Sequence, residues 1–215
     1  PVLKADAYGH GANVFVELLD SYDFIFAYAV ASIDEALTLR EITKTKIMIL
    51  GITPVWALET AILNDIDITI ADLETALAAD TLAEKLEKKV QIHLKIDTGM
   101  NRIGFKDSLD FHKQIGAINK LKNLNVVSAY THMASNTDLT FLKKQEELFF
   151  NLMQDYDFEL HPASSIAARA CTQGDYDFVR VGIEMYGLNN DSLKPLLSLY
   201  SRISFVKDLL ESEPV

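Results

Sequence analysis

Residues 67–97, DITIADLETALAADTLAEKLEKKVQIHLKID, contain the pattern that decides the fold. DITIA (67–71) is rich in β-branched residues and predicts a strand, and Asp72 is a favoured helix N-cap. The helix that Asp72 would start, over about 72–89, carries the clearest amphipathic pattern of the chain. VQIHLKID (90–97) then predicts a second strand. A strand, a helix and a strand in succession predict a parallel pairing with a crossover helix.

The same alternation extends along the chain in both directions. It predicts eight strands, at 2–5, 24–30, 46–51, 67–71, 90–97, 126–133, 158–164 and 178–182. The predicted helices lie between them, over 12–21, from Ser32 with Glu35 completing a capping box, from about Pro54, over 72–89, 108–121 and 138–155, and as a short turn near Ile166. Eight such units predict a (β/α)8 TIM-type barrel, with a doubly wound parallel sheet as the structural alternative.

The character of the sequence changes after Leu188. KPLLSLYSRISFVKDLL (194–210) lacks glycine and alternates apolar with polar residues, which predicts strands. We therefore expect a barrel domain over 1–188 and the incomplete start of a second, mostly β domain over 189–215. Because Pro1 already lies in a strand-like run, the sequence is expected to be a piece of a longer protein, truncated at its C-terminus.

Composition excludes several classes of function. The chain has 215 residues and a net charge of −11, which argues against a nucleic-acid-binding face. The longest apolar run, FIFAYAVASI (24–33), is too short to span a membrane, and no signal peptide is visible. A single cysteine, Cys171, excludes an internal disulfide and a cysteine-based zinc site, and the histidines show no metal-ligand spacing. The single cysteine is compatible with a reducing cytoplasm, where we expect the protein to lie, and no metal site is predicted.

Unusual polar residues lie where the predicted strands end, which is where barrel enzymes place functional groups. They are Lys4 after the first strand, Asp97 and Arg102 after the fifth, His132 after the sixth, Ser164 and Ser165 after the seventh, and Arg180, Gly182 and Ile183 at the eighth. This convergence predicts one site at the open end of the barrel.

Lys4 has two interpretations. A lysine among strand residues is costly to bury as a cation, and burial lowers its pKa, which makes a nucleophile or base. Alternatively, Lys4 reaches solvent from a strand end. AYGHG (7–11) favours the first interpretation, because its glycines allow close backbone approach to a ligand and Tyr8 supplies a hydroxyl.

The fifth strand carries charge on one face. Side-chain alternation puts His93, Lys95 and Asp97 together, and this combination favours the barrel interior and mouth over the helix side. Arg102 either binds a substrate carboxylate through two parallel hydrogen bonds or, alternatively, forms a surface ion pair with Asp97. His132 either stacks on a flat ring or is an ordinary strand-end histidine.

Ser164 and Ser165 precede a helical turn and offer hydroxyls and free backbone N–H groups, which suit an anion or an ordinary helix cap. The backbone N–H groups of Gly182 and Ile183 could join the same anion site. Their alternative is a plain strand and turn.

Together these motifs resemble, in order, those of bacterial alanine racemases: VLKADAYGHGA (2–12), KIDTGMNRIGF (95–105), YTHMAS (130–135), HPASS (161–165) and VRVGIEMYGL (179–188). The similarity runs from Val2 to about Val206. The resemblance implies a pyridoxal-phosphate enzyme, a barrel followed by a mostly β domain, and a homodimer. It implies interconversion of L- and D-alanine by two-base proton transfer, supplying D-alanine for peptidoglycan.

The resemblance also implies residue roles. Lys4 matches the lysine that carries pyridoxal phosphate and serves as one base. The cofactor phosphate would be contacted by Tyr8, Ser165, Gly182 and Ile183. His132 would stack on the cofactor ring, and Arg180 would contact the pyridine nitrogen. Arg102 would contact the phenolic oxygen and the substrate carboxylate, and Lys95 matches a lysine that is carbamylated in some members and holds Arg102. Ser164 stands where many members have asparagine.

The second base of the family is a tyrosine of the second domain, which this sequence lacks. The resemblance therefore predicts that the full protein racemises alanine and that this piece hardly does. A non-catalytic pyridoxal-phosphate carrier, a decarboxylase and a cofactor-free barrel remain alternatives. The choice between alanine and serine is left open.

Overall fold

A computed structural model describes residues 1–134, 138–170 and 176–211 of the chain. Its strands are β1 Ala27–Val30, β2 Lys46–Ile52, β3 Asp67–Ile70, β4 Val90–Asp97, β5 Phe105–Lys106, β6 Leu124–Tyr130 and β7 Glu159–Leu160. Its helices are α1 Lys4–Gly9, α2 Ala12–Leu19, α3 Ile33–Arg40, α4 Val55–Leu63, α5 Leu73–Lys85, α6 Phe111–Ile118, α7 Leu139–Met153 and α8 Ser165–Ala170, with a 3-10 helix at Ile183–Tyr186. Cys171 and Ser135 lie outside the described residues.

The strands form a parallel sheet in the order β1-β2-β3-β4-β6-β7, and the short β5 pairs with β4. The described strands follow chain order without the reversal that defines a doubly wound sheet. The chain is therefore an α/β protein whose parallel strands form a half-barrel. Helices cross between successive strands, as the alternating pattern predicted.

The 67–97 unit is confirmed. β3 and β4 pair in parallel, with Ile68 opposite Ile92, and α5 runs between them. Asp72 Oδ1 accepts a hydrogen bond of 2.7 Å from the backbone N–H of Thr75, so it is the N-cap of α5. All four residues of β3 are buried, which is usual for parallel strands covered on both faces. Burying one large aliphatic side chain contributes about 1.5–3 kcal/mol, so buried strand residues such as Ile68 and Ile70 stabilise the core substantially.

Three predicted strands are not regular strands. Residues 2–5 and 178–182 contribute only the isolated bridges of Val2 with Ala29 and of Ser164 with Arg180, and of 158–164 only Glu159–Leu160 is a strand. The first run stops because the backbone turns left-handed at Ala5. The 158–164 run is interrupted at Pro162, which has no N–H for a ladder.

These segments are still hydrogen-bonded to their neighbours. The N–H of Val2 donates to the carbonyl of Val181 at 2.8 Å, and the N–H of Leu3 donates to the carbonyl of Ala29 at 2.8 Å. The N–H of Arg180 donates to the carbonyl of Ala163 at 3.1 Å. Residues 2–3 are thereby brought beside β1, and residues 180–181 are brought beside the segment after β7 and beside Val2.

The strands predicted after Leu188 are not present in the described part of that segment. Residues 189–211 contain neither helix nor strand, and apolar side chains such as Leu199 and Ile203 are 93% and 85% exposed. A strand requires a neighbour to satisfy its backbone groups, and none of the described segments pairs with this one.

The length and polarity of the helices also bear on membrane insertion. Among the described residues, every helix is too short or too polar to cross a bilayer.

The capping box at α3 is only half correct. Ser32 Oγ accepts from the backbone N–H of Glu35 at 3.4 Å, as an N-cap should. The Glu35 carboxylate, however, accepts from the N–H of Ala31 and not from that of Ser32. At α4, the helix begins at Val55, and Pro54 is the residue before it.

Candidate active site

One pocket of about 290 Å³ gathers the sequence-predicted residues. The predicted residues that line it are Lys4, Tyr8, Lys95, Arg102, His132, Ser164, Ser165, Arg180, Gly182 and Ile183. They come from five separate stretches of the chain. The structure therefore brings together the predicted strand-end residues except Asp97, which does not line this pocket.

The segment labelled α1, Lys4–Gly9, is a left-handed turn and not a regular right-handed α-helix. Ala5, Asp6, Ala7 and Tyr8 all have φ between 51° and 55°, a conformation that costs roughly 1–2 kcal/mol per non-glycine residue. The turn is tied to α2 by Asp6, whose Oδ1 accepts from the N–H of Ala12 at 2.7 Å. It brings Tyr8 back toward Lys4, so that Lys4 Nζ lies 5.8 Å from the centre of the Tyr8 ring. Lys4 is half-buried at the pocket wall, not extended into solvent.

Lys95 is a buried amine beside two arginines. Burial lowers the pKa of Lys95 to about 7; Arg180 and Arg102 add to this lowering, and Asp97 opposes it. Its Nζ donates to the carbonyl of Ile96 at 3.0 Å. A substantial fraction of this amine is therefore neutral and nucleophilic at neutral pH.

Asp97 organises the loop that carries Arg102. Its Oδ1 accepts from the N–H groups of Gly99 and Asn101, each at 3.0 Å. Burial raises the pKa of Asp97, but these two N–H donors and the charge of Lys95 outweigh it, so the pKa is lowered. Asp97 thus does not pair with Arg102, and the alternative of a surface pair is wrong. Within the described residues Arg102 has no ion pair, and it lines the pocket.

Arg180 is buried and bonded to backbone. Its Nη1 donates to the carbonyl and to Nδ1 of His161, and its Nη2 donates to the carbonyls of Thr131 and Pro162. Burial lowers the pKa of Arg180 to about 10, against the effect of Tyr130, so the guanidinium stays charged at neutral pH. The Nε–H has no partner among the described residues.

A buried hydrogen-bonded chain behind Arg180 was not predicted from the sequence. His161 Nδ1 accepts from Arg180, so its Nε2 donates to Ser128 Oγ at 2.8 Å. Ser128 Oγ is also hydrogen-bonded to His93 Nδ1 at 2.6 Å, and His93 Nε2 is hydrogen-bonded to Asp67 Oδ2 at 3.3 Å. Burial, with the charge of Arg180, holds the pKa of His161 well below its usual range. A hydrogen-bonded chain that contains a neutral His161 therefore links a buried cation to a carboxylate.

His132 is also neutral. Burial lowers the pKa of His132 to about 4, and Arg180, Arg102, Lys95 and Lys4 add to this lowering. A neutral imidazole at the pocket wall can pack against a flat ring without adding charge. The geometry is compatible with the stacking interpretation.

Gly182 and Ser165 contact each other. The N–H of Gly182 donates to Ser165 Oγ at 3.0 Å, which leaves the Ser165 O–H to donate elsewhere. A Cβ at Gly182 would lie 3.1 Å from Tyr8 Oη, so the absence of a side chain at Gly182 leaves room for the Tyr8 hydroxyl. Three residues predicted to bind one anion are thereby adjacent.

Tyr130 was missed. Its hydroxyl is bonded to Thr69 Oγ1 at 2.7 Å and to the carbonyl of Leu50 at 3.1 Å. Its ring lies 4.9 Å from the Arg180 guanidinium carbon and 5.3 Å from Lys95 Nζ. The signal was available, because strand alternation puts Tyr130 on the same face as His132. Val2, Leu50, Ile166 and Asn189 also line the pocket and were not predicted.

The chain is similar in sequence and in fold to known alanine racemases. Alanine racemase of Clostridium kluyveri is 36% identical over 228 residues, covering 98% of this chain and 58% of that protein. The structure of alanine racemase from Clostridium difficile 630 matches with a TM-score of 0.82 and 34% identity, covering 89% of this chain and 52% of that one. Alanine racemase from Bartonella henselae with covalently bound pyridoxal phosphate matches with a TM-score of 0.80 and 26% identity, covering 90% and 59%.

The chain spans 58, 60 and 61% of the length of three curated relatives that it matches. A sequence profile of the family described as "Alanine racemase, N-terminal domain" matches residues 1–190. On this match and on these identities, the chain belongs to the alanine racemase family and carries its N-terminal domain.

Proposed function

We propose that the full protein is an alanine racemase that uses pyridoxal phosphate, and that this chain supplies the cofactor site and one of two bases. The observation that carries the proposal is the convergence of Lys4, Arg180, Tyr8 and Ser165 on one pocket. The pyridoxal phosphate bound covalently in the Bartonella relative supports the same cofactor here.

The charge of the pocket fits an anionic cofactor and an amino-acid substrate. Four basic residues line it, Lys4, Lys95, Arg102 and Arg180, and none of the described lining residues is acidic. The whole chain carries a net charge of −11, so this concentration of positive charge is local. Phosphate and carboxylate groups are favoured there.

The phosphate end fits Tyr8, Ser165, Gly182 and Ile183. Ser165 retains a hydroxyl proton to donate, and the absence of a side chain at Gly182 leaves room beside Tyr8 Oη. The ring end fits Arg180, whose Nε–H is available because its Nη groups are bonded to backbone carbonyls and His161. An arginine there keeps its own proton, so the ring nitrogen would stay largely unprotonated. His132 would pack on the ring.

Pyridoxal phosphate, when bound, acidifies the Cα–H of an attached amino acid by taking up its electron pair. The protein must then move protons on both faces of Cα. Lys4 is proposed to carry the cofactor and, when freed from it by substrate, to take or return the proton on one face. Arg102 is proposed to hold the substrate carboxylate and the phenolic oxygen of the cofactor.

Lys95 is proposed to be carbamylated. Its partly neutral amine can add carbon dioxide, forming an N–C bond and releasing one proton to solvent, and the carbamate would place an anion near Arg180 and Arg102. That anion would hold Arg102 in place, a role that Asp97 does not fill because its carboxylate is bonded to Gly99 and Asn101.

The remaining parts of the assignment are also proposals. The bonds from Val2, Leu3 and Arg180 to their neighbours support a complete eight-membered barrel over 1–188. Residues 189–215 would begin a second, mostly β domain, and the second base would be a tyrosine of that domain in a partner subunit of a homodimer. The enzyme would work in the cytoplasm and supply D-alanine for peptidoglycan.

The decisive experiment incubates the full-length protein, loaded with pyridoxal phosphate, with L-alanine and separately with D-alanine. Loss of optical activity from both directions supports the proposal. Release of carbon dioxide would assign a decarboxylase, and no change would assign a carrier. Lys4→Ala should abolish turnover, while the matched exposed variant Lys113→Ala should retain it. Parallel incubation with L-serine decides the side-chain preference.

A further inference from the structure

Glu35 lies outside the pocket but touches the backbone next to Lys4. Its Oε1 accepts from the N–H of Ala5 at 2.8 Å, and its Oε2 accepts from the N–H of Ala31 at 2.7 Å. One carboxylate therefore joins the turn after Lys4 to the end of β1. The same residue belongs to the first turn of α3, so three elements meet at this side chain.

The bond to Ala5 acts on Lys4 through a rigid unit. The N–H of Ala5 and the carbonyl of Lys4 belong to one planar peptide group. A hydrogen bond to that N–H therefore fixes the peptide plane that directly follows the Lys4 Cα. The side chain that bears the Lys4 amine starts from this Cα. Ala5 is also the first of the four left-handed residues, so the bond lies where the chain enters its least favourable conformation.

Helix capping does not account for this contact. A capping-box glutamate returns to the N–H of the N-cap residue, which here is Ser32. Glu35 instead uses both oxygens on N–H groups outside α3, and the N–H of Ala5 is 30 residues away in sequence. The neighbouring carboxylate, Asp34, is exposed in the same first turn and its side chain has no such contact among the described residues.

We propose that Glu35 is a positioning residue: its carboxylate fixes the Lys4–Ala5 peptide so that the Lys4 amine is aimed into the pocket. The inference rests on the proposed function, because it assumes that Lys4 carries pyridoxal phosphate. Attachment joins Lys4 Nζ to the aldehyde carbon and releases the aldehyde oxygen as water. Glu35 takes no part in that step and acts only through the position of the backbone.

The test separates covalent attachment from simple binding. In the full-length protein, stripped of cofactor, the rate of attachment of pyridoxal phosphate is followed by borohydride reduction and the mass of the Lys4 peptide. Affinity for pyridoxamine phosphate, which lacks the aldehyde and does not need the Lys4 amine, is measured alongside. Asp34→Ala removes an equal charge from the same helix turn, and Ser32→Ala removes the helix cap while keeping the carboxylate.

Glu35→Ala is expected to slow attachment at least about tenfold while changing pyridoxamine phosphate affinity less than about twofold, since small misplacements of a reacting group are costly. Glu35→Gln keeps one acceptor oxygen and is expected to lie between Glu35→Ala and the unaltered protein, which preserves the test if Glu35→Ala fails to fold. Asp34→Ala and Ser32→Ala should attach cofactor at the unaltered rate.

Equal loss of attachment and of pyridoxamine phosphate affinity in the Glu35 variants would overturn the inference, because it would mean general damage to the site. Unchanged attachment would overturn it as well. Failure of the unaltered protein to label Lys4 would instead reject the proposed function. The two failures are therefore distinguishable.

Discussion

Arg180 Nη1 donates to His161 Nδ1 at 3.1 Å, and the same imidazole is bonded on its other side to Ser128 at 2.8 Å. The guanidinium is thereby fixed from behind by a chain that ends at Asp67. Because its Nη groups are occupied there, its Nε–H is left for the pocket. The orientation of the proposed ring-nitrogen partner is thus set by residues that a ligand would not touch.

Replacement of Arg180 by lysine should be costly despite equal charge. An ammonium has three donors and no planar fork, so it cannot serve the carbonyls of Thr131, Pro162 and His161 together. We expect Arg180→Lys to lower the free energy of unfolding by about 2–4 kcal/mol, measured by urea denaturation. Arg169→Lys, at a partly exposed ion pair with Glu184, should change it by less than about 1 kcal/mol. Equal effects of the two changes would contradict the buried network.

Gly182→Ala should weaken the proposed phosphate site. The added methyl would lie 3.1 Å from Tyr8 Oη and displace that hydroxyl by a few tenths of an ångström. We expect several-fold weaker binding of pyridoxamine phosphate, measured by fluorescence titration, and little further loss when Gly182→Ala is added to Tyr8→Phe. Gly116→Ala, where a Cβ meets no atom within 4 Å, is the control and should leave binding unchanged. Additive losses in the double variant would show that Tyr8 is not the affected contact.

Lys95 should make stability depend on pH. Its pKa is about 7 in the folded protein, below its usual value of 10.5, so the unfolded chain binds more protons between these values. Stability therefore rises with pH from about 7 to 10.5. In bicarbonate-free buffer Lys95→Met should lose this rise, and its stability advantage over the unaltered protein should be largest below pH 7. The exposed control Lys113→Met should keep the rise of stability with pH. If Lys113→Met also loses this rise, the pH dependence does not come from Lys95.

Carbamylation of Lys95 predicts a specific signal. With ¹³C-bicarbonate, the cofactor-loaded protein should show a carbamate resonance by NMR, because the amine is partly neutral at neutral pH. Lys95→Met should lose that resonance and Lys113→Met should retain it. A resonance that persists in Lys95→Met would place the carbamate on another amine.

Asp72 should matter to the unit that decides the fold. Asp72→Ala removes the acceptor for the N–H of Thr75 and should cost about 1 kcal/mol in the free energy of unfolding. Glu74→Ala removes a charge from the same first turn without removing the cap, and its cost should be clearly smaller. Equal costs would mean that charge near the helix end, not the cap, is what stabilises α5.

The sequence by itself determined the parallel α/β fold and most candidate site residues. Strand β4, the cap at Asp72 and the amphipathic helix α5 follow from interactions within a few residues, which local pattern reports directly. The motifs at Lys4, Lys95, His132 and Arg180 were found because chemistry-bearing residues follow buried strands, and the ends of parallel strands meet at one edge.

Tertiary structure alone decided the rest. The expected strand at Lys4 became a left-handed turn, and its hydrogen bond to Glu35 crosses 30 residues. The chain from Arg180 through His161, Ser128 and His93 likewise joins residues that are far apart in sequence. Such contacts form only after the strands have brought distant segments together, and their energies then override the preferences of the local sequence.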